Sequence, residues 1–121
     1  MDIVAAVLIA IAGIVNLLPI AGALSGDRLH ALYGLPLGDA NLVILMRHRA
    51  VLFGIVGGLL LTAVFVDELR PFAIVAGLLS MMSFVLIARI EGDYNDRLRR
   101  ILMIDLVASI GLAAAGVIEL L

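Results

Sequence analysis

Four long apolar stretches dominate this chain and leave it one way to fold. They run over roughly residues 3–24, 42–66, 71–90 and 98–121. Each is long enough to form a helix across the ~30 Å hydrocarbon core of a bilayer, which takes about 20 residues. With 121 residues, 64% of them hydrophobic, and a mean hydropathy of +1.26, the chain holds more apolar sequence than a soluble domain of this size can bury. The expectation is all-α: a four-transmembrane-helix bundle forming a single integral membrane domain over residues 1–121. The first stretch ends in Ala21-Gly22-Ala23, which has the look of a cleavage site. Met1-Asp2 before it lacks the positive charge of a signal peptide, so an uncleaved helix is expected.

The arginines orient the bundle. The chain has eight of them and no lysine. Four spans put both termini on one side and the loops 25–41 and 91–97 on the other. The loop side receives Arg28, Arg47, Arg49, Arg89, Arg97, Arg99 and Arg100, and the terminal side only Arg70, beside Asp67 and Glu68. The positive-inside bias then makes the loops cytoplasmic and the termini periplasmic or external, in a bacterial inner membrane.

The first loop is expected to hold a short amphipathic helix, capped by Ser25, running through Tyr33 and ended by Gly34. In the second loop, Gly92-Asp93-Tyr94-Asn95 reads as a turn, with Asp93 or Asn95 capping the last helix. Small residues four apart, at Gly54/Gly58, Ala76/Ser80 and Ser109/Ala113, are the candidates for close helix contact.

Polar residues converge on the loop-side end. Arg47-His48-Arg49 falls one to two turns inside the second span, and successive helical residues point about 100° apart, so the three cannot share a face. One arginine is expected to snorkel to lipid phosphates, and the other, with His48, to face inward. Asp105 lies ~7.5 Å beyond Arg100 in an apolar helix. A carboxylate there costs ~2.5–3.5 kcal/mol and needs a partner or a proton. Asn16 near the end of the first span, Arg89 and Glu91 at the end of the third, and Tyr94 in the turn complete the set. Asn16 can instead satisfy a carbonyl freed by Pro19, and Asp105 can be a purely structural ion pair. The candidate acid/base residues are His48, Asp105 and Glu91, because imidazole carries protons near neutral pH and carboxylates accept them. The candidate ligand-binding residues are Asn16, Arg47, Arg49, Arg89 and Tyr94.

Other chemistries find little support. The chain has no cysteine, which excludes disulfides and thiolate sites. His30 and His48 lie on different elements without a ligand-spaced partner, so no metal is expected. No nucleotide-binding or nucleophile motif occurs, so no cofactor is expected, and arginines that adjoin lipid phosphates do not indicate nucleic acid.

At Asn16-Leu17-Leu18-Pro19, Leu32-Tyr33-Gly34, Met46-Arg47-His48-Arg49-Ala50-Val51-Leu52-Phe53-Gly54 and Gly92-Asp93-Tyr94-Asn95, the chain resembles a family of small bacterial four-helix membrane proteins. The likeness covers nearly the whole chain, and its most specific part is the run from Met46 to Gly54. Some members bear the label phosphopantetheine adenylyltransferase, a soluble nucleotide-binding α/β enzyme with paired histidines in a phosphate-binding motif. This chain has neither the strand–loop–helix pattern nor the motif, so the resemblance implies the membrane fold and not that activity. A general likeness to DoxX-like membrane proteins extends to size and topology only.

The function expected from these residues is binding of a small amphipathic or lipid-like molecule in an Arg/His/Asp pocket at the cytoplasmic side, with acid/base chemistry if there is any reaction. An alternative is a non-enzymatic accessory or scaffold subunit of a membrane complex. A third is a small transporter, which would need a homo-oligomer to enclose a path.

Overall fold

Apolar sequence on every side of a helix gives no polar face to set against water, so packing here is decided by shape. The computed structural model describes residues 2–18 and 40–120, and in it four α-helices form. Helix α1 spans Ile3–Leu17, α2 Ala40–Ala63, α3 Arg70–Glu91 and α4 Asp96–Leu120, with a 3-10 turn at Asp67–Leu69 between α2 and α3. Three segments are long and apolar enough to cross a membrane: Ala40–Ala63, Asp67–Glu91 and Asp96–Leu120. At 1.5 Å per residue, α2, α3 and α4 are each roughly 33–38 Å long, enough to span with modest tilt. The described part of α1 has 15 residues. The amphipathic helix expected at residues 25–33, Pro19, Arg28 and His30 lie outside the described residues.

Local chemistry fixes the helix ends. The Asp2 carboxylate caps α1, accepting from the backbone N–H of Val4 at 2.8 Å and of Ala5 at 3.4 Å. Pro71 occupies the first turn of α3, where no intrahelical N–H is lost. Gly92 ends α3 with φ +68° and ψ −171°, a region open to glycine alone. Its N–H returns to Ala88 O at 2.9 Å. Asn95 caps α4, its Oδ1 accepting from Leu98 N–H at 2.8 Å. The expected turn is therefore present, and of its two candidate caps Asn95 is the one that acts. Because α4 begins at Asp96, Arg97 sits in its first turns with Arg99 and Arg100 rather than in the loop.

The four helices pack in a ring in chain order. Helix α1 packs against α2 and α4, and α3 against α2 and α4, while α1 and α3 also touch across the diagonal. The centre holds Ile9, Leu60, Met81 and Leu112 with alanines at Ala5, Ala12, Ala63, Ala73 and Ala115. The outer faces carry exposed Ile44, Leu45, Ile55, Leu79, Ile87, Val107 and Ile110, an apolar perimeter that fits lipid rather than water.

Helices α1 and α2 approach closely at Gly57, whereas Gly58, the second glycine of the expected pair, faces open space. A Cβ built on Gly57 would lie 2.7 Å from Gly13 O and from Leu17 Cγ, whereas one on Gly58 meets nothing within 4 Å. In α3, Gly77 is buried beside half-buried Ala76; in α4, Ser109 is buried and Ala113 is exposed.

Candidate functional site

Six arginines, Arg47, Arg49, Arg89, Arg97, Arg99 and Arg100, lie toward one end of the bundle, formed by the start of α2, the end of α3 and the start of α4. They do not face the same way. Arg47, His48, Arg89 and Glu91 are exposed, Tyr94 is half-buried in the α3–α4 turn, and Arg49 is half-buried against the bundle. The structure thus brings Arg49 inward from its triplet and leaves His48 and Glu91 on the perimeter, apart from buried Asp105.

Arg49 and Asp105 are each the tenth residue of their helix, ~14 Å from its start. Asp105 is 7% exposed, and Arg49 stands at the same depth on α2. An arginine from the second span is what a carboxylate at that depth requires, since an uncompensated charge in hydrocarbon costs several kcal/mol.

Two phenylalanines fix the guanidinium. Arg49 Cζ stands 4.4 Å from the ring centre of Phe53, one turn along α2, and 5.2 Å from that of Phe84 on α3. The negative ring faces attract the cation, each contact contributing roughly 0.5–2 kcal/mol, more as water is excluded. Beside them lies a cavity of about 370 Å³, lined by Met46, Arg49, Phe53, Ser80, Ser83, Phe84, Ile87 and Leu98. It adjoins a smaller space of about 180 Å³ that adds Leu52 and Val56. Leu52 and Ile87 on the rim are exposed, so the cavity opens between α2 and α3 onto the bilayer side.

Two serines, Ser80 and Ser83, interrupt the apolar lining, and both are hydrogen-bonded. Ser80 Oγ donates to Asn16 Oδ1 at 3.1 Å, and Asn16 Nδ2 donates to Ala12 O at 2.8 Å. Asn16, 2% exposed, therefore ties α1 to α3. Its acceptor is Ala12 O, not the Val15 carbonyl that a proline at position 19 would free. Ser83 Oγ donates to Ser80 O at 3.1 Å. Gly77 faces Leu112, so in the antiparallel register Ser80 falls level with Ser109. Ser109 is buried, one turn from Asp105, with no hydrogen-bond partner for its Oγ among the described residues. Asn16, Ser80, Ser109, Asp105 and Arg49 make one polar layer inside an apolar bundle.

Sequence reasoning missed Phe53, Phe84, Ser80 and Ser83 as site residues. Phe53 was legible, being four residues from Arg49 on one helix face. The α3 contribution depends on which face α3 turns inward, which its apolar pattern does not mark.

At the other end Arg70 is the buried arginine. Its Nε donates to Ala63 O at 3.0 Å and its Nη2 to Val64 O at 3.3 Å, capping the end of α2. Nη2 also pairs with Asp67, and Nη1 stands 3.6 Å from Glu119 of α4. Read from sequence, Arg70 is only a lone cation beside two acids; Glu119 comes from the far end of another helix.

Comparison with family models, curated proteins and solved structures finds no match.

Proposed function

We propose that the protein is a four-span integral protein of the bacterial inner membrane whose α2–α3 cavity binds a small amphipathic molecule. Both termini lie outside the cytoplasm, and the Arg49 end is cytoplasmic. The ligand carries an anionic or hydrogen-bond-accepting head toward Arg49, Ser80 and Ser83, and an apolar body against Phe53, Phe84 and Ile87. One observation carries the reading: a guanidinium clamped by two aromatic rings at the wall of a cavity with an apolar rim. A cation needed only to neutralise Asp105 requires neither the rings nor the space. The arginine bias toward one end supports the orientation.

Binding is favoured over catalysis because the two groups that would share proton transfer with Asp105, His48 and Glu91, stand exposed on other faces. Mass spectrometry of organic extracts from the purified protein tests this. Wild type should carry an amphiphile that Arg49→Gln loses, while Arg47→Ala retains it. Extracts of wild type and Arg49→Gln with identical small-molecule content would overturn it. A cytoplasm-only reporter fused after Leu121 should be silent.

The accessory-subunit reading draws on one observation. On α2, Gly58 leaves open space where a Cβ would stand and Thr62 is exposed beside it, with Thr62 Oγ1 bonded back to Gly58 O at 2.8 Å. A partner helix could approach closely there.

A further inference from the structure

The end of the bundle opposite Arg49 has its own concavity. A groove of about 490 Å³ runs between α3 and α4, with Ile74, Leu78, Ala113 and Val117 along it and Asp67, Arg70 and Glu119 at its head. Charge at this end is lopsided among the described residues: Asp2, Asp67, Glu68 and Glu119 are set against the single guanidinium of Arg70. Two of the three guanidinium nitrogens are engaged at close range, Nε and Nη2 with the end of α2 and Nη2 also with Asp67. Among the described residues Nη1 has only Glu119 Oε2, at 3.6 Å, which is longer than a hydrogen bond. The Glu119 side chain is 25% exposed, so its carboxylate is partly withdrawn from water and open on the groove side.

An anionic head would meet a net negative rim here. A simple cation would leave Nη1 unused. A zwitterion with an ammonium two carbons from a phosphate complements both. We propose that this groove is a binding site for a phospholipid with a primary ammonium headgroup. The ammonium sits at Glu119 and Asp67, the phosphate accepts from Arg70 Nη1, and one acyl chain lies along Ile74, Leu78 and Val117. The site is separate from the Arg49 cavity and stands or falls independently of it.

The test is native mass spectrometry of the detergent-solubilised full chain titrated with dioleoyl-phosphatidylethanolamine or dioleoyl-phosphatidylglycerol. The ethanolamine lipid should bind about tenfold more tightly, a difference of about 1.4 kcal/mol. Glu119→Gln keeps the shape and should erase that preference, whereas Ile44→Ala, at an exposed perimeter position of α2, should leave it intact. Ala113→Phe, on an exposed groove position, should weaken binding of the ethanolamine lipid by blocking the chain. Equal affinity for the two lipids in wild type, or an undiminished preference in Glu119→Gln, refutes the site.

Discussion

Substituting alanine at two adjacent glycines of α2 should give opposite results. At Gly57 the new methyl would lie 2.7 Å from Gly13 O, 2.7 Å from Leu17 Cγ and 3.0 Å from Leu17 N. Two of those three atoms are backbone and cannot rotate away, so α1 must back off by about 0.5–1 Å to restore ordinary contact, at a cost of roughly 1–3 kcal/mol. That displacement also pulls Asn16, one turn further along α1, from its 3.1 Å bond with Ser80. At Gly58 nothing lies within 4 Å. Alanine there adds no clash and replaces a weak helix former, so stability should hold or rise by up to ~1 kcal/mol. Thermal unfolding in one mild detergent, followed by circular dichroism at 222 nm because the chain has no tryptophan, compares the two directly. Gly58→Ala melting below Gly57→Ala would refute the packing of α1 on α2.

Ser80→Ala should destabilise by roughly 1–3 kcal/mol, because it strips the donor from buried Asn16 Oδ1. Ser83→Ala, whose exposed hydroxyl bonds only its own helix, should stay within ~0.5 kcal/mol of wild type in the same melts. Arg70→Gln should cost roughly 3 kcal/mol, since it leaves Glu119 unpaired in a partly buried site and uncaps α2. Asp67→Asn should cost less than ~1 kcal/mol, as that side chain is 80% exposed.

The long spans were legible because length and hydropathy alone decide them: expected at 42–66, 71–90 and 98–121, the helices run Ala40–Ala63, Arg70–Glu91 and Asp96–Leu120. Turn chemistry at Gly92 and Asn95 was legible for the same local reason. What the sequence concealed was rotation about each helix axis. In a helix apolar all round no polar face marks the outside, so glycine spacing offered Gly58, which faces open space, and passed over Gly57, which packs against α1. The polar layer divided the same way. The 100° step between neighbours showed that Arg47, His48 and Arg49 must diverge, and only the folded bundle selects Arg49. Arg70 eluded the reading because its burial depends on Glu119 and on the carbonyls ending α2, all outside its own helix.

The claim that the Arg49 cavity holds an amphiphile is tested most directly by photolabelling in nanodiscs. A fatty acid carrying a diazirine on its chain is crosslinked and the modified residues are mapped by peptide mass spectrometry. Labelling at Phe53, Ser83, Phe84 and Ile87 should saturate, be competed by excess unmodified fatty acid and be lost in Arg49→Gln. Labelling that never saturates and falls evenly over lipid-facing residues such as Val107 and Ile110 would contradict it.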